Sequence, residues 1–161
     1  MPPTDHRLRV AIAVACAAFI AVLLGSAYLE HDIIVLHAFQ ALIYVATAGL
    51  CWRRHKLGYA IGLTIAVVWN AYNLFVSGFI QAGFHELHRI AAGERVTSAM
   101  NLIGGLGGID HFALIALLIW AYARHPDRRP RDAWLVPASA ALVVGYFLAI
   151  LAVFWPEFFR R

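Results

Sequence analysis

Long apolar runs alternate with short polar segments along this 161-residue chain. Five of the runs have the roughly 20 residues that an α-helix needs to cross the hydrocarbon core of a bilayer, which is about 30 Å thick. They cover residues 8–29, 33–52, 57–84, 101–122 and 133–155. The pattern predicts an all-α protein, a polytopic membrane bundle of five transmembrane helices that forms one domain over residues 1–161.

Composition agrees with a membrane protein. Hydrophobic residues make up 62% of the chain and charged residues 14%, which is atypical of a soluble domain. Most basic residues lie in short segments between apolar runs, so we assign them to membrane orientation and expect no nucleic-acid partner. The positive-inside rule places the segments that hold Arg7, Arg53 and Arg124 in the cytoplasm. We therefore expect a bacterial-type inner-membrane protein with a cytoplasmic N-terminus and the lipid bilayer as its main partner.

The first apolar run has a second interpretation. Arg7 and Arg9 precede it, and Gly25, Ser26 and Ala27 lie near its end, which is the outline of a cleaved secretory signal. Cleavage after Ala27 would leave four spans. The run is longer than the apolar part of most signals, so we expect an uncleaved helix.

Five of the eight histidines fall at the opposite end of the predicted helices from the basic segments. They are His31, His37, His85, His88 and His111, and Asp32, Glu86 and Asp110 accompany them. Ionisable groups at membrane depth cost about 3 kcal/mol or more unless they are paired or solvated. The clustering predicts a polar cavity that opens on the outer, periplasmic face.

Polar stripes on the predicted helices would form the walls of this cavity. The third helix carries Asn70, Asn73, Ser77, Gln81, His85 and His88 at spacings of three and four residues, and the second carries His37, Gln40, Tyr44 and Thr47. On the fourth helix Gly104, Gly108 and His111 share one face, so we expect His111 to point into the bundle. Asp110 lies about 100° around the helix from it. The glycine-rich face could alternatively pack against a partner subunit or a second copy of the chain.

These residue types predict a site for a divalent transition metal, such as nickel, zinc or copper, for uptake or delivery. Imidazole is a common ligand of these metals, and a carboxylate often braces the second ring nitrogen. The candidate ligands are His37, His85, His88, Asp110 and His111. The expected lining of the pocket is Asp32, Gln40, Tyr44, Asn70, Asn73, Ser77, Gln81 and Glu86.

One short segment resembles a known family. Gly107, Gly108, Ile109, Asp110, His111 and Phe112 are similar to the Gly-x-Asp-His helix segment of the hydrogenase and urease accessory nickel permeases. That resemblance implies Asp110 and His111 as metal contacts. It covers one helix, and a further upstream histidine of those permeases is absent. The five spans are also similar in number and length to the tryptophan-rich sensory proteins, which bind porphyrins, but their proline-tryptophan motifs are absent, so we assign neither family.

Two other functions fit the same residues. His37 and His111 could be axial ligands of a b-type haem, or the pocket could hold a quinone, which would make the chain a redox membrane subunit. Alternatively, the pocket could belong to an enzyme or receptor for a lipid-like molecule, with Asp110 and His111 as a proton-transfer pair. The sequence leaves open whether the protein is an enzyme. In the plainest interpretation, His31, His85 and His88 are ordinary interfacial residues and the asparagines join helices by hydrogen bonds.

Overall fold

The computed structural model describes residues 3–156, and every regular element in that range is helical. The elements are α1 Pro3–Leu29, α2 Ile34–Trp52, α3 Lys56–Phe75, α4 Phe79–Ala91, α5 Ala99–Ala123 and α6 Leu135–Phe154, with 3-10 turns at His31–Ile33 and Pro130–Trp134. All except α4 are long and apolar enough to span a bilayer. The prediction of an all-α bundle with five spans is confirmed.

Helices α3 and α5 occupy the centre of the bundle. α5 packs against α1, α3 and α4, while α3 also packs against α2 and α6. The core between them contains Phe19, Tyr44, Ile65, Leu114 and Leu118, none more than 2% exposed. α6 packs along α3 and, among the described residues, has no comparable interface with α5. Its contact with α2 is made by side chains at one end, where the Tyr146 hydroxyl donates to the Phe39 carbonyl at 2.8 Å. A groove therefore lies on each side of α6.

The two ends of the bundle differ in their ionisable residues. Arg53, Lys56 and Arg124 lie where helices begin or end on one side, which we call the basic end. His31 and His85 lie on the other side, which we call the histidine end. The alternation of helix directions thus separates the two groups of residues, as the sequence predicts.

The predicted third span, residues 57–84, is wrong at its C-terminal end. α3 ends at Phe75, and a separate helix, α4, begins at Phe79. Gly78 lies between them with a φ of 69°, in the left-handed region that glycine adopts without steric cost. The apolar character continues across the break, which is why hydrophobicity alone predicts one long helix.

Polar side chains near Gly78 satisfy the backbone and one another at the break. Ser77 Oγ donates to Asn73 Oδ1 at 3.0 Å and accepts from the Phe79 N–H at 3.2 Å. Gln81 Nε2 donates to the Leu74 carbonyl at 2.6 Å. Three members of the predicted polar stripe therefore stabilise the interruption between α3 and α4, and the stripe does not run along one continuous helix.

α4 runs antiparallel to α5 in close backbone contact. A Cβ atom placed on Gly83 would lie 2.1 Å from the Gly105 nitrogen, and one placed on Gly108 would lie 3.1 Å from the side chain of Ile80. Small residues allow such an approach of two helices. The glycine-rich stretch of α5 therefore packs within the chain, against α4.

Candidate functional site

A cavity of about 600 Å³ lies at the histidine end, between α1, α2, α3 and α6. Most of its wall is apolar and includes Leu23, Leu36, Val68, Trp69, Phe147 and Leu148. Its polar lining residues are Ser26, Glu30, His37, Gln40, Tyr72 and Asn73. A mostly apolar cavity of this size with a few polar groups is typical of a site for a small organic ligand.

His37 projects from the first turns of α2 into this cavity. Its Nδ1 lies 3.0 Å from the Leu23 carbonyl oxygen of α1. Because a carbonyl oxygen only accepts hydrogen bonds, Nδ1 must be the protonated donor. In the neutral ring, Nε2 then carries the lone pair and can accept a hydrogen bond from a ligand or bind a metal ion.

Gln40 lies one turn further along α2 and lines the same cavity. Its side chain is 6% exposed and has no hydrogen-bond partner among residues 3–156. The amide has two N–H donors and one oxygen acceptor. The Gln40 amide atoms are not among the buried atoms that lack a partner, so they are accessible from the cavity. With the acceptor nitrogen of His37, three residues away on the same helix face, the amide offers hydrogen bonds to one head group.

Asn73 and Ser26 line the cavity but already have partners. Asn73 Nδ2 donates to the Trp69 carbonyl at 2.9 Å, and Asn73 Oδ1 accepts from Ser77. Ser26 Oγ donates to the Val22 carbonyl at 3.0 Å. These two side chains contribute polarity to the wall and have less capacity left for a ligand than Gln40.

His111 is fully buried in the core, as its glycine-flanked face predicts, and it does not line the cavity. Its Nε2 lies 2.7 Å from the Tyr44 hydroxyl oxygen. The ring stacks on Phe19 with centroids 3.8 Å apart and meets the edge of Trp69 at 4.7 Å. Aromatic rings thus enclose the imidazole, and His111 lies outside the cavity that His37 lines.

Three further buried polar groups have atoms without hydrogen-bond partners among residues 3–156. They are Asp110 Oδ2, both side-chain polar atoms of Asn70, and Thr47 Oγ1. His111 Nδ1 has the same status. None of these residues lines the cavity. The lipid-ligand hypothesis placed the Asp110 and His111 pair at the floor of the pocket. In the structure neither residue lines the cavity.

The remaining predicted site residues lie outside the cavity. Asp32, His85 and His88 are exposed, as are Ser77 and Gln81 near the interruption between α3 and α4. Among residues 3–156, no three His, Cys, Asp or Glu side chains are close enough together to hold a metal ion. The structure thus brings together His37, Gln40 and Asn73 and separates them from the other candidate ligands. The metal site stays a prediction without geometric support.

Glu86, a predicted pocket residue, fixes the connection between α4 and α5. Its Oε2 accepts from the Thr97 N–H at 2.9 Å, and its Oε1 accepts from the Thr97 hydroxyl. These hydrogen bonds stabilise the carboxylate and hold the pKa of Glu86 below its ordinary value. Glu86 is therefore a structural residue of the 92–98 connection.

Protonation of Glu86 is expected to loosen this connection. A carboxyl whose pKa is lowered by folding stabilises the fold at and above the ordinary glutamate pKa of about 4.3, and this contribution is lost as pH falls through the lowered value. Hydrogen exchange of residues 92–98, corrected for intrinsic rates, should rise several-fold in Glu86→Gln at pH 7. The wild-type protein should reach the exchange rate of the variant only when the pH falls below the lowered pKa of Glu86. Glu94→Gln, which removes an exposed ion pair with Arg89 at 3.3 Å, should leave exchange unchanged.

Sequence reasoning missed the apolar wall of the cavity. Trp69 and Phe147 line it, yet an apolar side chain that faces a ligand looks the same in sequence as one that faces lipid. The signal that did work was the spacing of His37 and Gln40, three residues apart on one helix face.

Comparison of the chain with protein-family models, curated proteins and solved structures finds no match in any of the three. The geometry of the cavity is therefore the basis on which a function can be proposed.

Proposed function

We propose that this protein binds an amphipathic, largely apolar molecule with a hydroxyl or carbonyl head group in the cavity between α1, α2, α3 and α6. The observation that carries the proposal is the placement of His37 and Gln40, three residues apart on one face of α2, in a cavity of about 600 Å³ whose wall is mostly apolar. Volumes of roughly 300–1,000 Å³ are usual for small-molecule sites.

The head-group chemistry follows from the hydrogen-bonding capacity of the pair. His37 donates through Nδ1 to the Leu23 carbonyl, which leaves Nε2 to accept a proton donor such as a hydroxyl. Gln40 can donate to a carbonyl oxygen and accept from a hydroxyl. A quinone with its quinol form has both groups on one ring, so this ligand class fits the pair well.

The distribution of basic residues favours one orientation of the bundle in the membrane. Basic residues concentrate at the end of the bundle opposite the cavity, and the positive-inside rule would place that end in the cytoplasm of an inner membrane. The cavity would then lie in the outer leaflet, with the N-terminus cytoplasmic. Such a site would take its ligand from the bilayer or from the periplasmic surface.

Binding of decylbenzoquinone to the solubilised protein, counted by native mass spectrometry, tests the proposal. We expect one bound molecule per chain. Leu148→Trp should fill the cavity and weaken binding more than tenfold, whereas Leu142→Trp should not. Both leucines are on α6 and about half exposed, 47% and 50%, but only Leu148 lines the cavity. Equal binding by both variants would show that the probe only partitions into detergent.

Removal of either polar partner should weaken binding about fivefold, the effect of one hydrogen bond of about 1 kcal/mol. The variants are His37→Leu and Gln40→Leu, with His85→Leu on α4 as the control outside the cavity. Metal analysis of the same samples provides a separate outcome. Stoichiometric nickel, zinc or copper that disappears in His37→Leu would replace the proposal with the metal-binding function.

A further inference from the structure

A second cavity, of about 340 Å³, lies at the basic end between α3, α5 and α6. Its apolar wall includes Leu63, Leu118, Ile119 and Val136. α5 and α6 both pack on α3 but have no comparable interface with each other in the described range. The space between them is therefore a groove between two helices that are long and apolar enough to span a bilayer.

Charged residues line the mouth of this groove. Lys56 Nζ pairs with Asp132 Oδ2 at 2.7 Å, and the Tyr122 hydroxyl donates to the same oxygen at 3.1 Å. Asp132 thus balances the charge of Lys56 and ties α3 and α5 to the turn before α6. The ion pair leaves this part of the rim nearly neutral.

Arg128 is the lining residue whose charge is not balanced. Its Nη1 donates to the Ala123 carbonyl at 3.2 Å, and no carboxylate within residues 3–156 forms an ion pair with it. The neighbouring Arg124, Arg129 and Arg131 outnumber the one adjacent acid, Asp127, so the charge around Arg128 is positive. An anionic group at the membrane surface therefore has a favourable partner directly above an apolar groove.

We propose that this groove binds an acidic phospholipid of the surrounding bilayer, with an acyl chain between α5 and α6 and the phosphate at Arg128. The two parts of the site match the two parts of such a lipid: the apolar wall takes the chain, and the unbalanced guanidinium takes the phosphate. Guanidinium groups bind phosphate oxygens through paired N–H donors. The site is separate from the cavity at the histidine end.

Native mass spectrometry of the protein with phosphatidylglycerol or phosphatidylcholine of identical acyl chains tests this site. We expect phosphatidylglycerol to bind more tightly. Arg128→Gln should weaken its binding about fivefold, the effect of one basic residue near an anionic lipid surface, worth about 1 kcal/mol, and should leave phosphatidylcholine unchanged. The side chain is exposed, so the substitution should not affect folding.

Two matched controls separate the groove from the general charge of the basic end. Arg131→Gln removes the same charge nearby, from a residue that does not line the groove, and should change binding less than twofold. Ala123→Trp should block the groove, whereas Ala116→Trp, also on an exposed position of α5 but outside the groove, should not. Equal losses in Arg128→Gln and Arg131→Gln, or equal binding of the two lipids, would overturn the proposal.

Discussion

Replacement of Gly83 by alanine is expected to destabilise the protein by about 3 kcal/mol, the upper end of the usual cost of overpacking. The new Cβ would lie 2.1 Å from the nitrogen and 2.4 Å from the Cα of Gly105, and 2.5 Å from the Asn101 carbonyl oxygen. These neighbours are backbone atoms, which cannot move aside by a change of rotamer. α4 must therefore shift away from α5 along its length. Unfolding by SDS in mixed micelles, followed by circular dichroism, measures the loss.

The chain contains a matched control for this substitution. Gly145 lies in the middle of α6, and a Cβ there would meet no atom within 4 Å. Gly145→Ala should leave stability unchanged or raise it by up to about 1 kcal/mol, because alanine has the higher helix propensity. A similar small effect at Gly83 would mean that α4 and α5 are not in backbone contact in the membrane.

Replacement of His111 by alanine is expected to cost about 3 kcal/mol of stability, as for other large-to-small changes in a packed core. The imidazole is 0% exposed and packs against Phe19, Tyr44 and Trp69. Its removal leaves a void and an unpartnered Tyr44 hydroxyl. His37→Ala, on the wall of the cavity, should cost less than about 1 kcal/mol, since surface-like positions tolerate truncation.

A double-mutant cycle measures how much of this stability loss is due to the hydrogen bond between Tyr44 and His111. Tyr44→Phe alone should cost about 0.6 kcal/mol, the mean for hydrogen bonds between membrane helices, and should cost almost nothing once His111 is alanine. If His111 were instead a metal or haem ligand, His111→Ala would abolish binding and leave the stability of the empty protein nearly unchanged. The two outcomes distinguish a packing residue from a ligand.

The helices were predictable because each apolar run is close to the length needed to cross a bilayer. The exception is the connection between α3 and α4, where the apolar pattern continues through Phe75 and Phe79. The break depends on the positive φ of Gly78 and on hydrogen bonds of Ser77 to Asn73 and Phe79. A lone glycine in an apolar run is common in membrane helices, so hydropathy gives no signal for it.

The candidate site was predictable in part. Spacing on one helix correctly places His37 and Gln40 on a shared face, and both line the cavity. Residue spacing along one helix does not show which helices lie close together. His111 and His37 were therefore predicted to share a site, although His111 packs behind Trp69 of the cavity wall and does not line the cavity. Polar residues such as Ser77 and Glu86 form hydrogen bonds within turns and connections. In sequence, such residues look the same as a stripe of binding residues.

The position of α6 has a consequence for both cavities. Val144 and Leu148 of α6 line the cavity at the histidine end, and Leu135 and Val136 of the same helix line the groove at the basic end. α6 packs mainly on α3 and is joined to α2 by the hydrogen bond of the Tyr146 hydroxyl to the Phe39 carbonyl, so a tilt of this one helix changes the shape of both spaces. An occupant that favours one tilt changes the affinity for an occupant of the other space, and thermodynamic linkage makes that effect reciprocal and equal in size.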